Sequence, residues 1–143
     1  MKLPTSDRIY LSRSKIKGAN RGVFAHSKIK KGEIIEKCPV VIIPAVELPD
    51  INKTTLLNYY FCFAKDESKW AIALGFGSLY NHSYEPNATY TKDYKNSLIY
   101  FTAIKDVLKD EEITVNYNSG DPEDKTQPYN FGVPPYKELK RSK

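Results

Sequence analysis

The chain has 143 residues, of which 41% are hydrophobic and 13% aromatic, and tyrosine alone contributes 11. This length predicts a single domain that can fold without disulfide or metal staples. The formal net charge of +5 is typical of a solvated basic surface, or of a surface that contacts an acidic partner such as nucleic acid or chromatin. No recognisable nucleic-acid-binding motif accompanies the charge.

The two cysteines, Cys38 and Cys62, fit neither a zinc site nor a disulfide framework. Because both lie among apolar residues, we expect buried free thiols in an intracellular, reducing compartment. That compartment is the cytoplasm or the nucleus, or a host compartment if the source is a bacterium or virus. The N-terminal residues lack the apolar core of a secretory signal, and no segment is long enough to span a membrane.

The first part of the chain alternates between strand-like runs and turns. Residues 8–13 (RIYLSR) alternate like a strand, KGANRG follows as a turn, and VFAHS reads as a short strand. A turn at Lys31-Gly32 precedes two β-branched runs, which are split at Pro39.

The remaining elements also favour strands. Pro44 and Pro49 bracket a loop in which a short helix can form. The run LLNYYFCFA (56–64) is compatible with helix or strand, and a turn at KDES followed by KWAIAL favours a hairpin. ATYTKD and SLIYFTAI predict a second hairpin around DYKN, and a turn at Lys109-Asp110 precedes a final strand. The chain therefore reads as mainly β with little helix.

Three stretches carry candidate chemistry. KGANRGVFA (17–25) can adopt positive φ and bring its backbone close to a ligand, although an ordinary hairpin turn has the same composition. In SLYNHSYEPNATY (78–90), Asn81 and His82 either tie loops together or bind a polar ligand, because buried polar side chains need partners. EEITVNY (111–117) is a strand-like run that ends on a tyrosine.

The order and spacing of these stretches resemble the SET-domain protein lysine methyltransferases, whose pattern is a GxG turn, an NHSxxPN stretch and a final E-[LI]-T-x-[DN]-Y. The resemblance covers residues 8–120, and LGFGSLYNHSYEPNA is most similar to small stand-alone SET proteins. It implies a mainly-β SET-domain β-clip fold of several small sheets with a C-terminal pseudo-knot. It also implies one SET domain over 1–143, with a short insert near 45–70 and a tail, 121–143, that closes the cofactor pocket.

The resemblance implies an enzyme that transfers a methyl group from S-adenosylmethionine to the side-chain amine of a protein lysine, with histone lysines among the candidates. S-adenosylhomocysteine would be the product. The alternative is a catalytically weak or inactive SET-like protein-binding module. The implied partner is a protein or peptide that carries the substrate lysine, and the chain can also work close to chromatin. No membrane partner is implied. The oligomeric state is left open between monomer and dimer.

Residue roles follow from the same resemblance. Asn81 would hold the methionine part of the cofactor, and His82 would bind near the adenine through its main chain. Tyr117 would be the channel tyrosine whose hydroxyl faces the transferred methyl group. The implied catalytic residues are Tyr117, Tyr90 and Tyr60. The implied cofactor-binding residues are Asn20, Arg21, Gly22, Val23, Tyr80, Asn81, His82, Tyr117, Tyr129 and Phe131.

The chain departs from the family pattern at several positions. Asn20 replaces the first glycine of the GxG turn, and Asn116 replaces the common aspartate before the final tyrosine. Val115 stands where many members carry a Phe or Tyr that limits the number of methyl groups. Tyr84 stands where many relatives carry a zinc-binding cysteine, so no zinc is expected. In place of a zinc cluster, Tyr129, Phe131 or Tyr136 would close the pocket by stacking over the adenine.

Overall fold

The structure is a computed structural model that describes residues 2–126. These residues form nine strands and a few short helical turns. The strands are β1 (Ile9–Arg13), β2 (Arg21–Ala25), β3 (Ile34–Pro44), β4 (Tyr60–Cys62), β5 (Lys69–Ala73), β6 (Asn81–His82), β7 (Ala88–Asp93), β8 (Leu98–Ala103) and β9 (Glu112–Val115). The helical segments are a 3-10 turn at Ala45–Glu47, helix α1 (Leu48–Ile51), and 3-10 turns at Thr55–Asn58 and Gly77–Leu79.

The first sheet has the strand order β1-β2-β9-β6. β1 and β2 form an antiparallel hairpin in which Arg13 pairs with Arg21. β9 is antiparallel to β2, and β6 is parallel to β9, with Asn81 opposite Thr114. Two segments that are distant in the sequence therefore lie side by side, and this arrangement places the NHS stretch against the final strand.

The second sheet has the order β4-β5-β3-β8-β7, and all its strand pairs are antiparallel. β3 is one continuous strand of 11 residues, so the expectation of two runs split at Pro39 is wrong. Pro39 instead marks a change of partner: up to this residue β3 pairs with β8, and from Val40 onward it pairs with β5. A proline has no N–H to donate, and a strand tolerates it where the ladder changes.

Both expected hairpins are present, β4-β5 and β7-β8, and the segment after Pro44 forms the expected short helix. The turns at Gly32 and Asp110 have φ of +89° and +65°. Asn20 has φ +69°, a left-handed conformation that asparagine tolerates better than most residues. Only Asn20 of the predicted 20–23 turn lies in the turn itself, because Arg21 already begins β2.

The main core lies between the two sheets. It joins residues of the first sheet, such as Val23 and Ile113, to residues of the second, such as Ile99 and Phe101. A smaller cluster of Ile43, Leu57 and Tyr60 lies under the helical turns of the insert. No helix in the described part of the chain is long and apolar enough to cross a membrane.

The two thiols differ in their surroundings. Cys38 is buried in the main core, and desolvation raises the pKa of its thiol, so it remains protonated. Cys62 is only partly buried, contrary to the expectation of two buried thiols, because it lies at the end of the short edge strand β4.

Candidate functional site

Asn81 is held at the point where β6 meets β9. Its side-chain Nδ2 donates to the main-chain oxygen of Arg21 at 2.7 Å and to Glu112 Oε1 at 2.9 Å. Both neighbours are acceptors only, so the amide orientation is fixed with Oδ1 facing away from them. Asn81 thus links the residue after the Asn20 turn, the NHS strand and the final strand.

Glu112 is a residue of this site whose role the sequence interpretation missed. Its carboxylate accepts from Asn81, from the Ser14 hydroxyl at 2.8 Å and from the Lys15 main-chain N–H at 3.2 Å. A Cβ at Gly22 would lie 2.2 Å from Glu112 Oε1. The glycine of the turn is therefore required by the carboxylate beneath it. Glu112 belongs to the EEITVNY motif (111–117), which is the signal in the sequence that points to it.

The side-chain amide of a second asparagine, Asn87, also binds β9 near the β6–β9 crossing. Asn87 Oδ1 accepts from the Thr114 N–H at 2.9 Å, and its Nδ2 donates to the Glu112 main-chain oxygen at 2.9 Å. The side chain is buried, and these bonds tie the end of the NHSYEPN stretch to β9. Asn87 lies in the stretch 78–90, but the sequence pattern does not predict its bonds to β9.

Tyr117 is braced on three sides. Its hydroxyl donates to the main-chain oxygen of Tyr80 at 2.7 Å, and its N–H donates to His82 Nδ1 at 3.1 Å. The His82 ring also lies 5.1 Å from the Tyr117 ring. The main-chain oxygen of Tyr117 accepts from the Tyr90 hydroxyl at 3.3 Å. Tyr117 is thus fixed with its phenol oxygen beside a carbonyl oxygen.

Tyr80 is anchored from below by a buried carboxylate. Glu36 Oε1 accepts from the Tyr80 hydroxyl at 3.1 Å, and Glu36 Oε2 accepts from the Phe76 N–H at 3.0 Å. The Tyr80 ring stacks on Phe101 with 4.2 Å between centroids. A Cβ at Gly75 would lie 2.5 Å from Glu36 Oε2, so this position also requires glycine. Sequence reasoning assigned no function to Glu36.

An aromatic cavity of about 520 Å³ lies beside the Tyr117 hydroxyl and the main-chain oxygen of Tyr80. It lies between the insert, the strand β7 and the segment after β9. Its aromatic and apolar lining includes Tyr59, Tyr60, Phe61, Tyr80, Tyr90, Tyr94, Val115 and Tyr117. Tyr90 packs edge-on against Phe61 with 5.1 Å between ring centroids. The Tyr60 hydroxyl donates to Asn52 Oδ1 at 3.0 Å, which places that hydroxyl against the insert.

The cavity disfavours charge on the groups that line it. Burial raises the pKa of Tyr90, and burial followed by the Glu36 carboxylate raises the pKa of Tyr80, so both phenols stay neutral. Burial lowers the pKa of Lys92, whose ammonium lies 6.0 Å from the centre of the Tyr90 ring. The same environment would favour the neutral amine of another lysine.

The structure therefore brings the predicted site residues into two adjoining groups. Tyr60, Tyr80, Tyr90 and Tyr117 share the aromatic cavity. The second group, around the β6–β9 crossing, consists of Asn20, Arg21, Gly22, Val23, Asn81 and His82. Val23 is fully buried in the core, main chain included, where it pairs with Leu11 of β1 and Ile113 of β9. Tyr129, Phe131 and Tyr136 lie outside the described residues. Within residues 2–126, no group of three or more His, Cys, Asp or Glu side chains is arranged to hold a metal ion.

The comparisons with known proteins agree with this architecture. A family model described as the SET domain matches residues 20–118. The chain belongs to the SET domain family. The match includes the Asn20 turn, the NHS stretch and the Tyr117 segment, which are the three stretches that meet in the fold.

The chain is similar in sequence to known proteins of this family, among them two that are each 34% identical to it. One is a Schizosaccharomyces pombe protein named "Histone-lysine N-methyltransferase, H3 lysine-37 specific", which is 34% identical over 97 residues. That alignment covers 68% of this chain, and the chain spans 65% of that relative's length. The other is the crystal structure of a candidate histone methyltransferase of Plasmodium falciparum, with 34% identity and a TM-score of 0.62, covering 77% of this chain and 92% of that one.

A more distant structure shares the fold. It is the Chaetomium thermophilum polycomb repressive complex 2, ctPRC2, in an autoinhibited conformation bound to S-adenosylmethionine. Its TM-score is 0.70 at 22% identity, and the match covers 82% of this chain and 16% of that one. This likeness concerns the SET fold alone.

Proposed function

We propose that the chain is a protein lysine methyltransferase that uses S-adenosylmethionine. The observation that carries the proposal is the pair of oxygens formed by the Tyr117 hydroxyl and the Tyr80 carbonyl, 2.7 Å apart at the wall of the aromatic cavity. Partly positive C–H groups make weak contacts with such oxygens. These two oxygens would hold the methyl group of a sulfonium cofactor at the entrance to the aromatic cavity.

The residues at the β6–β9 crossing fit this cofactor. Both Nδ2 protons of Asn81 are used by acceptors of the protein, so its Oδ1 is the part of the amide that can accept from an ammonium group. The main-chain oxygens of Asn20 and Arg21 each accept one hydrogen bond within the protein, from the Ser14 N–H and from Asn81 Nδ2, and each would offer its second lone pair to the cofactor. S-adenosylmethionine supplies an electrophilic methyl group on a positively charged sulfur. Tyr129 and Phe131 are proposed to cover the adenine.

The cavity residues would prepare the lysine. A lysine amine with its ordinary pKa of about 10.4 is protonated at neutral pH and cannot act as a nucleophile. Neutral, buried tyrosines such as Tyr90 favour loss of that proton, as the lowered pKa of Lys92 in the same cavity illustrates. Once the channel walls Tyr60 and Tyr90 orient the amine, its attack is an in-line displacement that depends mainly on positioning.

The substrate proposal follows from the relatives. Because the relative with 34% identity is named for a histone H3 lysine, recombinant histone H3 is the first substrate to test. A protein that methylates histones would work in the nucleus beside chromatin. Val115 lines the cavity and is smaller than an aromatic residue, and we infer room for more than one methyl group on the product amine.

The test joins cofactor binding to turnover. Calorimetric titration with S-adenosylmethionine is expected to show saturable binding that Asn81→Ala weakens. Tyr117→Phe removes one hydroxyl and is expected to keep binding while cutting turnover on histone H3 by about 100-fold, the scale of losing one positioned polar group at a reacting centre.

The outcomes separate the two functions. Unchanged turnover in Tyr117→Phe would remove Tyr117 from the reaction. Saturable cofactor binding without turnover on histone H3 or on cell extracts would instead identify a binding module that keeps the SET fold. Normal cofactor affinity in a destabilised Asn81→Ala variant would assign Asn81 a purely structural role.

A further inference from the structure

Positive charge is concentrated in one acid-free stretch of the chain. Residues 8–32 contain eight lysines and arginines and no aspartate or glutamate. The eight are Arg8, Arg13, Lys15, Lys17, Arg21, Lys28, Lys30 and Lys31. One cation on each flank of this stretch is ion-paired: Arg8 with Glu33 at 3.3 Å, and Lys28 with Asp106 at 3.3 Å. Its middle, the hairpin between β1 and β2, is not neutralised in this way.

The hairpin loop presents three of these cations around a cavity. Arg13, Lys15 and Lys17 are exposed and line a cavity of about 520 Å³ together with Gly18 and Asn20. Among residues 2–126, none of the three side chains lies within ion-pair distance of a carboxylate. Glu112 is the acid bonded to this loop, but its carboxylate binds the Ser14 hydroxyl and the Lys15 main-chain N–H rather than a lysine or arginine head group.

The loop also has a fixed shape. The Ser14 N–H donates to the Asn20 oxygen at 3.1 Å, and the Ala19 N–H donates to the Ile16 oxygen at 3.1 Å. The Ser14 hydroxyl, itself bound to Glu112, accepts from the Ile16 N–H at 3.0 Å. A cationic loop that is already ordered loses little conformational entropy when it binds an anion.

We infer that the hairpin residues Arg13, Lys15 and Lys17 form a docking surface for the phosphate backbone of duplex DNA. The repeated charges of DNA suit several unpaired cations without requiring a shaped pocket for each. A membrane surface is a poorer match, because Ile16 is the one apolar side chain among the residues that line this cavity, and membrane-binding segments need an apolar face. The choice of DNA rests on the proposed function, which places the chain beside chromatin.

The surface adjoins the candidate cofactor site and shares Asn20 with it. Asn20 is the last residue of the turn, and the next residue, Arg21, accepts from Asn81 Nδ2 through its main-chain oxygen. DNA held by the hairpin would therefore keep the domain on the nucleosome and leave the aromatic cavity open for a lysine. Contacts between cations and DNA phosphates position a protein on the duplex but do not distinguish one base sequence from another.

The test measures binding of the full chain to a short, fluorescently labelled DNA duplex of mixed sequence, without cofactor, from about 50 to 200 mM salt. In the hairpin variant Arg13→Gln/Lys15→Gln/Lys17→Gln, we expect affinity to fall at least about tenfold at low salt. The slope of log affinity against log salt should fall by about 2 to 3, or close to one per lost phosphate contact. Thermal melting checks that the variant folds.

A matched variant separates location from overall charge. Lys69→Gln/Lys95→Gln/Lys105→Gln removes the same charge from exposed lysines of β5, the β7–β8 turn and the segment after β8, and within residues 2–126 none of the three is ion-paired. This control is expected to bind DNA within about threefold of the unmodified chain, because the phosphate contacts remain. Equal losses in the two variants, or wild-type binding by the hairpin variant, would overturn the proposal.

Two further binding measurements on the hairpin variant show whether its cations bind a different anion. If the hairpin variant loses S-adenosylmethionine affinity while its DNA binding is unchanged, the cations serve the cofactor's carboxylate and the DNA proposal is wrong. If it loses binding to phosphatidylserine vesicles with DNA binding unchanged, the surface belongs to a membrane. Because DNA binding is measured without cofactor or lysine substrate, the proposed methyl transfer can fail or succeed independently.

Discussion

Single residues of the cofactor turn are constrained by what lies beneath them. Gly22 sits directly above the Glu112 carboxylate, and an added Cβ would meet Oε1 at 2.2 Å. That carboxylate is in turn held by Ser14 and Asn81, so it cannot move without breaking their hydrogen bonds. The requirement for glycine here is one of space, since Gly22 is not among the residues with positive φ.

Gly22→Ala is therefore expected to displace Glu112 and to release Asn81 from its fixed orientation. The cost in the free energy of unfolding should be about 1–3 kcal/mol, as for other overpacked sites. Affinity for S-adenosylmethionine should fall as well. Urea unfolding and calorimetric titration measure the two effects. Ser12→Ala, at the exposed position opposite Gly22 in β1, is the matched control and should change neither.

At the scale of elements, the segment between β5 and β6 is clamped by Glu36 of β3. One carboxylate oxygen accepts from the Phe76 N–H, and the other accepts from the Tyr80 hydroxyl. The Tyr80 main chain supplies the oxygen that accepts from Tyr117. Glu36 is therefore a positioning residue, because it acts on the two oxygens through Tyr80 rather than by touching the substrate.

Glu36→Gln should disturb this clamp, because an amide has one acceptor oxygen where the carboxylate has two. One of the two donors then faces an NH₂ group, at a cost of about 1–3 kcal/mol in the free energy of unfolding. We expect kcat on histone H3 to fall while KM for the substrate changes little. Ile35→Val, a buried neighbour on β3, provides a comparable loss of about 1 kcal/mol. An equal fall of kcat in both variants would reduce Glu36 to a general stability role.

Local elements were predictable where their signals were local. The hairpins β4-β5 and β7-β8 and the turns at Gly32 and Asp110 follow from turn residues and alternating runs. The continuity of β3 through Pro39 could not be predicted, because a change of strand partner leaves no local pattern in the sequence. The roles of Glu36 and Glu112 were also missed, since each acts on residues more than thirty positions away in the sequence.

At the scale of the whole molecule, the candidate site lies where the two sheets meet. The first sheet supplies Asn81 and Gly22, and the second supplies Tyr90 and the Glu36 anchor. Motif order in the sequence indicated the family, and with it the roles proposed for Tyr117 and Asn81. The parallel pairing of β6 with β9, which brings those residues together, is a contact between distant segments that the sequence pattern alone does not determine.

Because aromatic residues are buried between these elements, the stability of the molecule should depend on pH at the alkaline end. Burial raises the pKa of Tyr90, and burial with the Glu36 carboxylate raises the pKa of Tyr80. In the unfolded chain both phenols ionise near pH 10, whereas in the folded chain they remain neutral. Their contribution is fully present below pH 10 and is lost as the pH rises further, by up to about 1.4 kcal/mol per pH unit for each tyrosine.

Tyr90→Phe should flatten this alkaline loss, because the variant has one phenol fewer to ionise on unfolding. The free energy of unfolding, measured by urea titration from about pH 8 to pH 12, gives the slope directly around the tyrosine pKa. Tyr94→Phe removes an exposed tyrosine from the same cavity wall and should keep the wild-type slope. If Tyr90→Phe keeps that slope as well, the Tyr90 hydroxyl is open to solvent. The dry channel proposed for the substrate lysine would then lose its support.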